Sequence, residues 1–374
     1  MQFAEAEITW AAHMSEQQLR IAVIGVGGTG SFVLDALIQS DVAAVVGLAD
    51  RNCALAEQAG RTHGLAAYCD NRRLLAETQP HAVFLTVPPM DAPDIINACA
   101  DRGVHVWKEA PLARGLDEGL ALARRMSDAG LKLAVGTPRR FSVGYRAAGD
   151  YMGRIGPILL ARAHYLYNWG PHLGWRGDRE SAGGGALMHV AYHPIDLLVW
   201  MLGLPETVYG LQACGYSPGQ TSPEGEPLPV YDTDDAAAVM ARYSADCAAV
   251  VTAGRRSGPA CEELSLHGRA GSIIATGEHC LLRDPDGNIL DRSDDDDPPI
   301  AAYARQIESF ARAVLEEKAS YHCSGWESLL NLAVIEAAYL SNRTGQPESP
   351  LRLLRNRELD VATCLKCLPD ELPE

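Results

Sequence analysis

The chain has 374 residues, too many for one ordinary core and suited to two domains of ~100–200 residues each. With 47% hydrophobic and 21% charged residues it has ample material for packed cores, which excludes global disorder. The formal charge of −16, from 32 Lys plus Arg against 48 Asp plus Glu, creates a field that repels phosphate backbones and anionic lipid, so nucleic acid and membrane are not expected partners, although a local cleft can still hold a phosphorylated small molecule.

In chain order, residues 1–18 show no clear period and read as an extension. Glu5, Glu7 and Glu16 stand where a secretory leader would want a basic start and an apolar middle, and no run of about twenty apolar residues follows, so the expected location is cytoplasmic. Residues 19–24 form a short apolar run ending in glycine, the signature of a strand buried on both faces of a parallel sheet. Phe32, Val33, Ala36 and Leu37 then recur at helical spacing, and Ala43 to Ala49 make a second buried strand that completes a βαβ unit. Helices over 53–60, 71–78, 93–102 and 115–129 alternate with strands near 65–69, 82–87, 105–107 and 131–136. Such alternation specifies a doubly wound, mostly parallel sheet over residues 19–138.

From Arg139 the pattern changes. A helix near 142–152, a long strand 157–167 and a helix at 186–202 precede a meander: Ala236–Tyr243, Ala248–Ala253, Glu263–His267, Gly271–Thr276 and Cys280–Arg283, with turn residues at 284–288. Residues 217–231 and Asp294–Pro299 read as loops, and 300–317 and 325–341 as helices. The expected fold class is α/β: an N-terminal Rossmann domain, then an α+β domain over 139–350 with a mostly antiparallel open sheet, and a tail at 351–374. The acidic run at 294–297 lacks the alternating spacing of a calcium loop. The ten cysteines, among them Cys99, Cys247 and Cys280, read as reduced thiols acting as small hydrophobes, and the lone pair Cys364 and Cys367 as chance spacing.

Gly25-Val-Gly27-Gly28-Thr29-Gly30 fits the GxGxxG dinucleotide pattern. The first glycine makes the tight turn, the second lets backbone approach a pyrophosphate, and the third lets helix pack on strand. The motif follows an apolar strand, opens a helix and meets Asp50 at the end of the second strand, about 20 residues on, as the pattern requires. The helix start would place free N–H groups on the diphosphate. Asp50 would accept from ribose hydroxyls and repel a 2′-phosphate, which favours NAD, while Arg51 beside it can stack on adenine or tolerate NADP. The competing reading is that Asp50 merely caps a turn.

Three segments together resemble the family of glucose–fructose oxidoreductases, inositol dehydrogenases and related sugar dehydrogenases: the glycine turn with Asp50, the stretch His105-Val-Trp-Lys-Glu-Ala-Pro-Leu-Ala113, and Gly183-Gly-Gly-Ala-Leu-Met-His-Val-Ala-Tyr-His-Pro-Ile-Asp-Leu197. Arg139-Arg-Phe141 between them also fits. The resemblance implies a nicotinamide-dependent oxidoreductase, with Val87, Pro88 and Glu109 beside the cofactor and a homo-oligomer, dimer or tetramer, built on the second domain's sheet. Departures from the family pattern are equally specific. Ala110 stands where the family places its catalytic lysine, His189 replaces its aspartate, and Ala92 replaces the histidine after the Val87-Pro88 turn, so His193 alone survives of the usual set. Strand alternation puts Lys108 on the same face as position 110, where its reach can substitute, against the alternative of a lysine stem snorkelling to solvent.

On a helical wheel over 186–202, His189, His193 and Asp196 cluster on one side, as on the polar face of any amphipathic helix, but the three glycines before them allow close approach to a ligand. His193, whose unperturbed pKa of ~6.5 suits proton transfer near neutrality, is the first candidate for acid/base catalysis, with Asp196 orienting it. His189, Tyr192 and Lys108 are further candidates for substrate contact or proton relay. The spacing of His189, His193 and Asp196 permits metal ligation, yet no completing ligand set exists, and no metal is expected. Tyr165, Tyr167, Trp169, His172, Trp175 and Arg176 form an aromatic stretch suited to sugar rings, with Arg176 free to hold a carboxylate. The expected reaction is hydride transfer between nicotinamide and a secondary carbinol of a sugar, inositol or polyol. The altered lysine and aspartate positions leave two alternatives: a lyase or glycosidase-like enzyme cycling tightly held NAD without net redox change, or a nucleotide-binding protein that has lost catalysis.

Overall fold

The computed structural model describes residues 18–215, 221, 225, 229–294, 298, 300–316 and 321–367. The expected N-terminal extension, residues 295–297 of the acidic run and most of the 217–231 loop lie outside the described residues. Six strands, β1 (Leu19–Ile24), β2 (Ala43–Ala49), β3 (Ala67–Tyr68), β4 (Ala82–Leu85), β5 (His105–Glu109) and β6 (Leu133–Gly136), pair in parallel in the order β3-β2-β1-β4-β5-β6. Helices α1 (Thr29–Ile38), α2 (Cys53–His63), α3 (Asn71–Thr78), α4 (Ala92–Ala100) and α5 (Leu116–Asp128) connect them. The strand order reverses between β1 and β4, and the crevice outside the carboxyl ends of such strands is where an open α/β sheet binds ligands.

The second half opens with α6 (Val143–Tyr151) and β7 (Ile158–Asn168), followed by the short α7 (Arg179–Ala182) and α8 (Ala186–His189), then α9 (Tyr192–Leu202). Strands β8 (Thr207–Ala213), β9 (Ala236–Arg242), β10 (Ala248–Gly254), β11 (Arg256–Gly268), β12 (Gly271–Ala275), β13 (His279–Arg283) and β14 (Ile289–Asp294) join β7 in an eight-stranded sheet of order β14-β13-β12-β11-β7-β10-β9-β8. Only β7 and β10 run parallel; the other pairs are antiparallel. β7 shows the half-buried pattern of period two, with Ala161, Ala163 and Tyr165 inward and Leu160, Arg162 and His164 exposed.

Two features depart from the sequence reading. The helix expected over 186–202 is broken at Val190 and Ala191 into α8 and α9. Pro194 explains the break, since it has no N–H and its ring excludes the carbonyl of Val190 from a continuous helical turn. Secondly, the chain returns to the first sheet after the second has formed. Tyr303, Ile307 and Phe310 of α10 (Ile300–Leu315) share a core with Val33, Leu37, Phe84 and Trp107. The long α11 (Gly325–Thr344) starts at a Ser324/Glu327 capping box and buries most of its length. Past residue 350, α12 (Pro350–Arg355) and α13 (Val361–Leu365) follow, with Leu354 and Cys364 buried.

A buried ionic network joins these parts. Arg140, in the turn after β6, donates to both carboxylate oxygens of Asp196 on α9, each at 2.7 Å, and to Glu327 on α11 at 2.8 Å. Asn331 of α11 donates to the same Asp196 carboxylate at 2.7 Å. Arg140 is 6% exposed and Asp196 1%, so its removal strands two carboxylates in a medium that cannot solvate them. Arg140→Met should destabilise the fold by about 3–5 kcal/mol, read as a lowered urea midpoint at unchanged slope.

Candidate functional site

β1 ends at a glycine turn whose geometry tolerates little else. Gly25 has φ 89°, and a Cβ there would run into the Thr86 carbonyl; one on Gly30 would overlap the Gly25 carbonyl oxygen. Gly28 (φ 44°) faces open space, which leaves the backbone accessible where α1 begins. These are the features of a diphosphate cradle, where the helix dipole and free N–H groups favour anions. Asp50, at the end of β2, accepts from Val26 N at 3.0 Å and Asn52 N at 2.8 Å. Its carboxylate therefore braces the glycine turn and also lines the cleft, so the turn-capping and ribose-binding readings describe one group.

The cleft, about 860 Å³, runs from this cradle to the second half of the chain. Gly25, Gly27, Gly28, Thr29, Asp50, Arg51, Val87, Pro88 and Glu109 from the sequence reading all line it, and Gly30 supports it from within α1. Arg51 pairs with Asp91 at 3.4 Å while 75% exposed. Asp70, Arg72, Asp91 and Asp94 complete this end; sequence reasoning missed them because they stand at or just before the starts of α3 and α4 with no local motif. Cys53 and Cys69, expected as thiols, are joined in a disulfide with Cα atoms 4.9 Å apart. The start of α2 and the end of β3 lie together here, and a separation of 16 residues carries no sequence signature.

The cleft floor is the end of β5. Lys108 is 1% exposed, which rules out snorkelling to solvent. Its Nζ donates to the carbonyls of Glu109 and Pro111, both at 2.8 Å, and it lines the cleft beside Ala110. Burial pushes its pKa down to about 8, opposed by Glu109. Glu109 is pushed up to about 7 by burial, and its Oε2 is buried without a hydrogen-bond partner.

Facing this floor, the second half contributes His189, His193, Trp169, Trp175 and Arg176. His189 Nε2 lies 3.1 Å from the Ala182 carbonyl, which assigns the proton to that nitrogen, and its ring meets Trp175 edge-on at 5.5 Å. His193 keeps a buried Nδ1 without a partner. Burial lowers both imidazoles to about 3. Beside His193, Arg139 donates to Glu262 at 2.9 Å and to the Tyr167 hydroxyl at 3.2 Å. Glu262 was not foreseen; the pairing of β11 with β7 sets it opposite Tyr165.

Two of the expected catalytic residues do not reach the cleft wall. Asp196 cannot orient His193, because both its oxygens are held by Arg140 and Asn331. Tyr192 is buried against α11 with its hydroxyl 2.9 Å from Ser328 Oγ. The break between α8 and α9 resets the wheel, so His189 and His193 share the cleft while Asp196 turns to the core. His172 is exposed and Tyr165 is buried with its hydroxyl on Tyr145 at 2.6 Å. Among the described residues no cluster of His, Cys, Asp and Glu has the makings of a metal site.

The depressed imidazoles fix a pH dependence of stability. His189 and His193 titrate near 6.5 when unfolded and about 3 when folded, so below 6.5 the unfolded chain binds protons that the folded chain refuses. Stability should be intact above pH 6.5 and fall as pH drops toward 3, by up to about 1.4 kcal/mol per pH unit per site. The double substitution His189→Gln, His193→Gln should flatten the slope of the urea midpoint between about pH 6 and about pH 4.

Comparison with known proteins agrees with this geometry. The oxidoreductase family model with an NAD-binding Rossmann fold (GFO/IDH/MocA) matches residues 19–137, and the GFO/IDH/MocA C-terminal domain matches residues 152–274. Levoglucosan dehydrogenase of Pseudarthrobacter phenanthrenivorans is 30% identical over 251 residues, spanning 61% of this chain and 63% of that protein. The scyllo-inositol 2-dehydrogenase (NAD(+)) of Bacillus subtilis is 26% identical over 342 residues, 89% of this chain and 96% of that one. A levoglucosan dehydrogenase solved with NADH and levoglucosan shares the fold with a TM-score of 0.80 at 22% identity, over 89% of this chain and 99% of its own. With both family domains present in order, each matching its own sheet, the chain belongs to the GFO/IDH/MocA family of oxidoreductases and carries that family's NAD-binding Rossmann fold.

Proposed function

We propose that the protein is an NAD-dependent dehydrogenase that oxidises a secondary carbinol of a sugar, inositol or related polyol, or reduces the matching carbonyl. The observation that carries this reading is the single cleft in which the glycine cradle and Asp50 stand at one end and His193, His189 and Lys108 at the other. The orphaned Glu109 Oε2 and His193 Nδ1, both buried on its wall, suit a bound nicotinamide and substrate. NAD supplies a hydride acceptor at nicotinamide C4 when bound. The names of the relatives, all oxidoreductases or dehydrogenases where a reaction is given, favour net redox chemistry over a lyase or hydrolase.

In this reading residues 19–138 hold the dinucleotide and 139–350 present the substrate. His193 is neutral at physiological pH and accepts the hydroxyl proton. Its low basicity suits a late transfer, because the carbinol oxygen becomes strongly acidic only as the hydride leaves. Lys108 holds the substrate oxygen in place of the lysine absent at Ala110, its ammonium aimed by two backbone carbonyls. Trp169 and Trp175 offer flat apolar faces to the ring. No described helix is long and apolar enough to cross a membrane, and we place the protein in the cytoplasm. The open face of the second sheet, with Leu160, Leu211 and Met240 exposed, is our candidate surface for a homo-oligomer, dimer or tetramer.

Two measurements test the reading. His193→Ala should lower kcat by ~10²–10⁴-fold with NAD affinity unchanged in an equilibrium titration; near-normal turnover removes it from proton transfer. Asp50→Ser should weaken NAD binding and narrow the gap between NAD and NADP, because the carboxylate that repels a 2′-phosphate is gone and Arg51 and Arg72 remain. An unchanged ratio of the two cofactors' kcat/KM values would place the ribose elsewhere.

A further inference from the structure

The substrate end of the cleft holds a cation, Arg176, for which no carboxylate among the described residues serves as counter-ion. Arg176 sits on the turn Gly174–Gly177, and that turn is fastened from beneath: its carbonyl accepts from Arg255 Nη1 at 2.9 Å and from the Thr233 hydroxyl at 3.0 Å. Arg255 is fully buried and paired to Asp235 at 2.9 Å. The Arg176 guanidinium then lies over two indoles, 4.3 Å from the Trp175 centroid and 5.5 Å from that of Trp169, and lines the cleft with both. Two aromatic faces hold its head in the cleft, and its N–H groups are the part that can bind a ligand.

Nearby carboxylates are already engaged. Asp178 accepts from Ser181 N at 2.8 Å, Asp232 from Arg179 N at 2.7 Å, and Asp235 from Arg255 and Arg256. Lys108 and His189 share the same end of the cleft, and the one acid beside them, Glu109, is shifted toward its neutral form. Asp50, Asp70, Asp91 and Asp94 all lie at the other end. In a chain of net charge −16, a substrate end lined among the described residues by Arg176, Lys108 and the single acid Glu109 stands against the background field. A neutral polyol offers a part-desolvated guanidinium only uncharged hydroxyl acceptors, whereas a carboxylate matches its planar fork with two parallel charge-assisted hydrogen bonds.

Resting on the dehydrogenase reading above, we propose that the substrate is an acidic sugar derivative, an aldonate, uronate or aldarate, whose carboxylate is clamped by Arg176 while a secondary carbinol lies at His193. In the oxidative direction the carbinol C–H bond breaks and its electron pair reduces NAD to NADH. The O–H proton passes to His193, the C=O bond forms, and the carboxylate is unchanged.

The test is a panel of paired compounds assayed with the purified full chain and NAD or NADH: D-glucuronate beside D-glucose, D-galacturonate beside D-galactose, D-gluconate beside D-glucitol, with glucose 6-phosphate as a separate arm. Arg176→Gln and Arg176→Lys are measured beside the native chain. The acidic member of a pair should be preferred, and Arg176→Gln should cut its kcat/KM by about 30- to 100-fold, mainly through KM, in line with loss of a charge-assisted bidentate contact. The neutral member should move less than about threefold and NAD affinity should stay constant. Arg176→Lys should recover part of the loss, since the charge remains without the fork. Preference for neutral compounds or for the phosphate, equal losses on both members, or loss of NAD affinity in Arg176→Gln would each overturn the proposal. If no compound turns over, quenching of tryptophan fluorescence by D-glucuronate in the NAD-saturated protein decides. Quenching that Arg176→Gln abolishes upholds the anion subsite and leaves hydride transfer as the failed part; no quenching overturns the subsite.

Discussion

The position of His193 on the substrate side depends on one buried guanidinium. Arg140 binds the carboxylate of Asp196 through two nitrogens and reaches Glu327 with a third, tying the turn after β6 to α9 and α11. Hydrophobic packing alone would let α9 slide or rotate at small cost, because its apolar residues are interchangeable in shape. Directional, desolvated hydrogen bonds allow only one register. His193, three residues before Asp196 on the same helix, inherits that register, and so faces β5 across the cleft. The acid that the sequence suggested as a partner for the histidine acts on it from a distance, through the helix they share.

Desolvation sets the chemistry within the cleft. Burial, aided by nearby arginines, keeps His189 and His193 neutral, and burial draws Lys108 toward neutrality and Glu109 toward its protonated form. Each shift removes a fixed charge from the place where charge develops during reaction, so that the remaining cations act in a low-dielectric setting where their influence is greatest. Acidic residues gather at the nucleotide end, where ribose hydroxyls ask for acceptors. Polarity thus runs along the cleft, and the two ends serve different ligands without a dividing wall.

The first sheet was legible in the sequence because strands buried on both faces appear as unbroken apolar runs, and because the glycine turn carries steric requirements that no other residue meets. The cradle residues and the cleft positions of His189, His193, Arg176 and Lys108 followed from local pattern and family likeness. What stayed hidden was set by contacts distant in sequence. Glu262 meets Arg139 across 123 positions, α10 crosses back to a sheet completed long before it, and the Cys53–Cys69 bond joins the start of α2 to the end of β3. One local misreading, a continuous helix over 186–202, came from weighing periodicity above the prohibition that Pro194 imposes on the preceding turn; another was the tail expected at 351–374, which holds α12 and α13.

The late return of α10 also has a meaning for synthesis. Trp107 packs edge-on against Phe84 at 4.8 Å and is covered by Phe310 at 6.3 Å, about two hundred positions downstream by the residue numbers. A growing polypeptide leaving the ribosome therefore carries an apolar sheet face uncovered until residues 300–315 have emerged. The nucleotide-binding half is completed only after the second sheet has been synthesised, and the interval before that is when chaperones have exposed surface to hold.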